Sequence, residues 1–188
     1  MKKIYLLLLA FVMYSSFAQD GQLIASYAPA YVDEVNAIAM HTSGDLIVAG
    51  RMDSNGMAKI VKIKPDGTLD TNFNATYINN FVGSTAIYKL CVQSNGQILV
   101  AGRFTGSGVD KCLVRLSATG AYDGSFNPSL PTNYTINTVA IQLGINRIIV
   151  GGEYFPATAA GQRIFRLLQT GTNDTTFNSG GTGIQSGA

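Results

Sequence analysis

Gly96-Gln97-Ile98-Leu99-Val100-Ala101-Gly102-Arg103 stands in the middle of this chain, and the chain carries it three times. Gly44-Asp45-Leu46-Ile47-Val48-Ala49-Gly50-Arg51 precedes it by 52 residues, and Asn146-Arg147-Ile148-Ile149-Val150-Gly151-Gly152-Glu153 follows it by 50. Self-similarity at such a period marks a propeller or another repeat array. Within each copy a short apolar run bounded by Gly reads as a buried strand.

Outward from these runs the same order of elements recurs. In the first unit Val35 to Met40 is a strand, Ser43-Gly44 a turn and Leu46 to Ala49 the next strand, ending in Gly50-Arg51. A polar loop, Asp53-Ser54-Asn55-Gly56, leads to Lys59 to Ile63, the turn Pro65-Asp66-Gly67 and a fourth strand over Leu69 to Phe73. In the second unit the strands are Ile87 to Val92, Gln97 to Arg103, Cys112 to Leu116 and Tyr122 to Phe126. Asn95-Gly96 predicts a two-residue hairpin turn there, with both central residues at positive φ. The third unit takes Ile136 to Gln142, Arg147 to Gly152, Ile164 to Leu167 and Asn173 to Phe177, with Asn146 in the turn position and one extra residue in that turn. Asn tolerates left-handed geometry second only to Gly. The fold expected is all-β, a β-propeller-like array of three four-stranded antiparallel blades forming an open arc.

The 188 residues contain 46% hydrophobic and only 13% charged residues, which suits strands joined by tight turns. Lys2-Lys3, the apolar run from Ile4 to Tyr14 and Ser16-Phe17-Ala18 before Gln19 read as a secretory signal peptide over 1–18. The apolar run is about 11 residues, against roughly 20 for a membrane span, so no anchor is expected after cleavage. The chain is therefore expected to be secreted, periplasmic or at the cell surface. Cleavage removes two of the 13 basic residues and none of the 11 acidic ones, leaving a formal balance of zero. With no Lys/Arg cluster left to meet phosphates, nucleic acid is excluded as a partner. The mature chain divides into a partial repeat over 19–34, which opens as a degraded copy of Asp66 to Phe73, and full repeats over 35–85, 86–135 and 136–188.

Three positions recur at fixed spacing: Lys62, Arg115 and Arg166; Asp70, Asp123 and Asp174; Phe73, Phe126 and Phe177. Each base precedes its Asp by eight residues, which places the pair across a hairpin as an ionic staple contributing about 0.2–1 kcal/mol. The Phe residues are read as core.

The chain resembles the bacterial delta-60 repeat proteins. The resemblance rests on Ile87 to Arg103 with Val114-Arg115-Leu116, and on Val35 to Gly50 with Ile63, Asp66-Gly67-Thr68-Leu69-Asp70 and Phe73. The third unit departs from the pattern, with Thr170 at the turn Asp and Asn173 at the Leu. The resemblance implies a β-propeller-like fold in secreted or surface proteins and carries no general activity. Three units are too few for a ring of four to eight blades. The expectation is a truncated product or an arc completed by another copy. Two uncovered sheet faces of about 300 Å² each would forfeit roughly 15 kcal/mol if wholly apolar, as large as a whole domain's stability, so self-association is expected.

Chemistry-bearing motifs are scarce. The lone His41 sits where Gln93 and Gln142 sit in the other units, and is read as a solvent-facing turn residue. No metal or cofactor site is expected, since one His and no Cys pair at metal spacing cannot build a zinc site. Asp70 to Asn74 lacks the Gly and the closing Glu of a calcium loop. Cys91 and Cys112 fall on the first and third strands of one unit, about 9.6 Å apart, beyond the reach of a disulfide, and are read as free thiols.

Function is expected on the face carrying the second-to-third loops and the connections between units, where the repeats differ. Arg51, Arg103, Phe104, Glu153 and Tyr154 are the candidate ligand-binding residues there, with Tyr77, Phe81, Tyr134 and Phe155 on the same face. Aromatics beside Asn and Arg suit a glycan or a peptide, and serve equally as loop anchors. The leading reading is an exported, non-enzymatic binding or surface module. The alternatives are a secreted carbohydrate-active enzyme using Glu153 and Asp110, whose carboxylates would need to lie about 5–9.5 Å apart, and a spacer that binds nothing.

Overall fold

A computed structural model of the chain describes residues 34–51, 58–79, 84–106, 109–131, 133–154, 162–177 and 183–185. The expected signal peptide and nearly all of the partial repeat lie outside these. Three antiparallel sheets follow one another. The first contains β1 (Glu34–Met40), β2 (Leu46–Arg51) and β3 (Ala58–Ile63), in that order. A four-residue helix α1 (Thr76–Asn79) leads to the second, formed by β4 (Ser84–Val92), β5 (Ile98–Gly106) and β6 (Val109–Leu116). The third has β7 (Tyr134–Gln142), β8 (Arg147–Tyr154), β9 (Gln162–Leu167) and β10 (Gly183–Gln185), with β10 on the outer edge of β9. The arrangement is all-β and propeller-like, an array that does not close on itself among the described residues.

Alternation along each strand decides the packing, because successive side chains point to opposite faces. Ile47, Ala49 and Ile60 of the first sheet meet Ile87, Leu90, Ile98 and Val100 of the second in one buried cluster. Leu99, Ala101 and Leu113, one residue out of phase on the second sheet, meet Ile136, Val139, Ile148 and Val150 of the third in another. The near-continuous apolar runs of β5 are thus explained: both its faces are covered.

The repeated Gly at the end of the run has a mechanical cause. The first strand of every sheet carries a bulge, at Val35/Ala37, Ile87/Lys89 and Ile136/Thr138. Opposite two of them, Gly102 and Gly152 lie so close that an added Cβ would sit 1.9 Å from the carbonyl oxygens of Ala86 and Thr135. No side chain fits there.

Two expectations are corrected. The fourth strands over Leu69 to Phe73, Tyr122 to Phe126 and Asn173 to Phe177 are absent, each reduced to a single bridge: Ile63 with Leu69, Leu116 with Tyr122, Leu167 with Asn173. The residue after each bridge is the repeated Asp, whose Oδ1 accepts the backbone N–H two residues on, from Asn72, Ser125 and Thr176. This side-chain turn competes with the ladder and bends the chain away. The Asn95-Gly96 turn is also different. Only Gly96 has positive φ, and Gln93 N–H bonds to the Gln97 carbonyl while Gly96 N–H bonds to Gln93. It is a three-residue loop in which one left-handed residue suffices, repeated at His41 to Asp45. Asn146 does adopt the left-handed conformation, at φ 50°.

The bared edge of β3 is closed instead by α1. The Asn79 carboxamide accepts from Ile60 N–H at 2.8 Å and donates to the Ile60 carbonyl at 3.2 Å, imitating a neighbouring strand.

Candidate functional site

Each hairpin staple is a three-membered cluster. Lys62 Nζ lies 3.6 Å from Asp70 and 2.9 Å from Asp45. Arg115 reaches Asp123 at 2.8 Å, and Gln97 donates to the same carboxylate at 3.2 Å. Arg166 and Arg147 both hold Asp174, at 2.9 and 3.0 Å. Asp45, Gln97 and Arg147 are the same repeat position, at the start of the second strand. Hydrogen bonds from Thr176, then the Arg147 and Arg166 guanidiniums, hold the Asp174 carboxyl down at about 2. The Ser125 hydrogen bonds, then Arg115, lower Asp123, and Ser43, then Lys62, lower Asp45. These carboxylates stay ionised and structurally engaged. Beneath them Arg115 covers the fully buried Phe126 ring at 4.5 Å, and Arg166 covers the half-buried Phe177 at 4.7 Å. Phe73 packs half-buried against the first cluster.

On this turn face the two junctions between sheets differ. At the first, His41 is a correction to the sequence reading: it is only 6% exposed and spans to the next sheet. Its Nε2 donates to the Gly96 carbonyl oxygen at 3.1 Å, and Nδ1 lies 2.6 Å from the Ser43 hydroxyl and 3.2 Å from Ser43 N. At the second junction the equivalent residue is Gln93, also 6% exposed. Gln93 does not bridge. Its Oε1 has no hydrogen-bond partner. A crevice of about 390 Å³ opens there, lined by Gln93, Asn95, Gln97, Arg115, Ser125, Gln169 and Thr170. Arg115 crosses it, donating from Nη1 to the Gln169 carbonyl at 2.6 Å. A buried acceptor without a donor costs about 1–3 kcal/mol, which marks this junction as less well satisfied than the first. The walls are amides and hydroxyls, groups that both donate and accept.

On the opposite, loop face the described aromatics are less open than the sequence implies. Phe104 is fully buried, because β5 runs on to Gly106 and turns that ring into the core. Tyr134 is buried edge-on against Phe165, centroids 5.4 Å apart. Tyr77 stacks on Tyr122 at 3.9 Å, and Lys111 donates to the Tyr122 hydroxyl. These aromatics anchor loops. Arg103 is half-buried and Glu153 exposed. The side chains of Arg51 and Tyr154, and all of Phe81 and Phe155, lie outside the described residues. Asp110 accepts from Asn133 N–H, and Glu153 pairs across the sheet with Thr135, two residues further on. A second groove, about 140 Å³, follows the outer flank of β6 between Asp110 to Cys112 and the segment Asn127 to Pro131.

Cys91 and Cys112 are free thiols, and burial pushes Cys112 up to about 12. Among the described residues no group of three or more His, Cys, Asp or Glu is placed to hold a metal ion, and no helix is long and apolar enough to cross a membrane. The sequence reading gives none of the residues lining this crevice a ligand-binding role, and takes Arg115 as a hairpin staple. The one signal at this junction is Gln93 in place of His41.

Residues 42–73 and 93–126 match a family described as a domain of unknown function (DUF5122), a beta-propeller. Among solved structures the chain is similar to the PQQ-bound form of aldose sugar dehydrogenase from Streptomyces coelicolor, with a TM-score of 0.51 and 15% identity, over 80% of this chain and 48% of that one. The chain spans about half the length of that enzyme, and the likeness is one of fold. No curated protein matches.

Proposed function

We propose that this chain, a β-propeller-type repeat protein, is an exported, non-enzymatic binding module whose turn-face crevice between the second and third sheets takes a hydroxyl-rich ligand, a glycan before a peptide. The observation that carries the reading is the crevice itself, lined by the amides and hydroxyls of Gln93, Asn95, Gln97, Ser125, Gln169 and Thr170 and crossed by Arg115, at the junction that Gln93 leaves unbridged. Hydrogen-bonding side chains able to donate and accept match sugar hydroxyls, which do the same. The committed carboxylates nearby support binding over acid–base chemistry, which needs a carboxyl that can hold a proton near neutral pH.

The test is a glycan array followed by calorimetry on the best hit. Wild type is expected to bind without converting the glycan. Gln93→His, which copies the residue closing the first junction, should abolish the hit. An array with no hit, or a hit indifferent to Gln93→His, rejects the crevice.

A second reading keeps the carbohydrate-active enzyme, because the segment Asn133 to Thr135 ties Asp110 and Glu153 to one stretch of chain. Product release from a bound glycan, lost in Glu153→Gln, would establish it.

A further inference from the structure

Equivalent positions on the first strands of the three sheets differ sharply in exposure. Ile87 and Ile136 are both 0% exposed, whereas Val35 is 50% exposed. Leu90 and Val139 are 2% and 3% exposed, whereas Ile38 is 55%. In the second and third sheets these side chains are buried by the preceding sheet. The first sheet therefore presents an apolar face, extended by the exposed Met40, of the shape that receives a preceding sheet.

The third sheet presents the matching surface. Leu99 and Leu113, which cover the following sheet, are fully buried. Their equivalents Ile149 and Ile164 are only half-buried. The strand β10 lies on the edge of β9 and leaves that face uncovered among the described residues.

One polar contact agrees with the match. Within the chain Arg115 crosses a junction to the Gln169 carbonyl. By repeat equivalence Arg166 would reach the Pro65 carbonyl of a sheet docked behind it.

We propose that two copies of this chain associate head to tail, the third sheet of each covering Val35, Ile38 and Met40 of the other, to close a six-bladed ring. Such an interface is heterologous, with different surfaces on its two sides. Six blades fall within the range of closed propellers.

Light scattering coupled to size exclusion tests this at micromolar concentration. Wild type should run at twice the chain mass. Ile38→Asp, at an exposed position, should run as a monomer with an unchanged far-UV spectrum, as should Ile164→Asp. Mixing the two variants should restore a dimer, since one intact leading face and one intact trailing face remain. If Ile164→Asp fails to fold, Ile149→Ala, which trims the same trailing face, replaces it and should weaken dimerisation at least tenfold. A monomeric wild type, a dimeric Ile38→Asp, or Ile164→Asp dimerising alone would overturn the proposal.

Discussion

Replacing Gly102 with Ala should cost far more than one methyl normally does. The Cβ would lie 1.9 Å from the Ala86 oxygen and 2.9 Å from its carbonyl carbon, and both are backbone atoms that no rotamer change can move. The strands must part by about 1 Å or the bulge at Ile87/Lys89 must rearrange. Overpacking costs about 1–3 kcal/mol, and loosening one or two ladder hydrogen bonds adds about 1 kcal/mol each. A loss near 3 kcal/mol is expected. For a chain of this size each kcal/mol moves Tm by roughly 2–4 °C, so calorimetry should show a fall of about 6–12 °C. Gly152→Ala, with the same 1.9 Å approach to Thr135, should behave alike. Gly124→Ala is the control: its nearest neighbour is the Tyr122 ring at 3.7 Å, and stiffening the unfolded chain should leave it neutral or slightly stabilised. A Gly102→Ala protein melting within 2 °C of wild type would refute the claim that the bulge dictates the second Gly of the repeat.

Three further outcomes are expected. Asn79→Ala strips Ile60 of its edge partner, which should cost about 1–3 kcal/mol in urea titration and raise light scattering on storage; unchanged midpoint and scattering would refute the capping role. Because Asp174 is held at about 2 when folded, below roughly 3.9 unfolded, its contribution is complete above the unfolded value and fades as pH falls towards 2. Denaturation midpoints should therefore drop on acidification below about pH 4, less steeply in Asp174→Asn, and an identical acid limb would contradict this. Burial raises both thiols, Cys112 to about 12, so a thiol reagent at pH 8 should label Cys112 only after unfolding; fast native labelling would show the β6 flank to be open.

The parts of the fold legible in the sequence are those written locally. An apolar run between Gly residues, recurring near every 50 residues, specifies strands and their order without knowledge of neighbours. The Lys/Arg and Asp of each hairpin are eight residues apart and meet across one turn. The fourth strands were misread because two local signals compete there. Leu69 and Tyr122 favour a ladder, but the Asp-x-Asn and Asp-x-Ser that follow offer the backbone a nearer partner. Phe104 and Tyr134 were misplaced because strands continue past the predicted loop boundary, which returns alternate residues to the core. The crevice is lined from two units, by Gln93 to Gln97, Arg115 and Ser125 of the second and Gln169 and Thr170 of the third, so no single stretch encodes it.

A repeat array supplies its own comparison, since equivalent positions face equivalent surroundings and any divergence needs a cause. Lys62, Arg115 and Arg166 keep their charge and contact the same Asp, which marks them as architecture. Two positions beside them do not stay constant: His41, Gln93 and Gln142, then Asp45, Gln97 and Arg147. The first set decides whether a junction is closed, as by His41 to Gly96, or left open at Gln93. The second changes each staple's charge from negative through neutral to positive without disturbing its geometry. Hairpin stability alone would be met by one residue type at both positions. Their divergence supports the proposed binding site on the turn face, at the junctions.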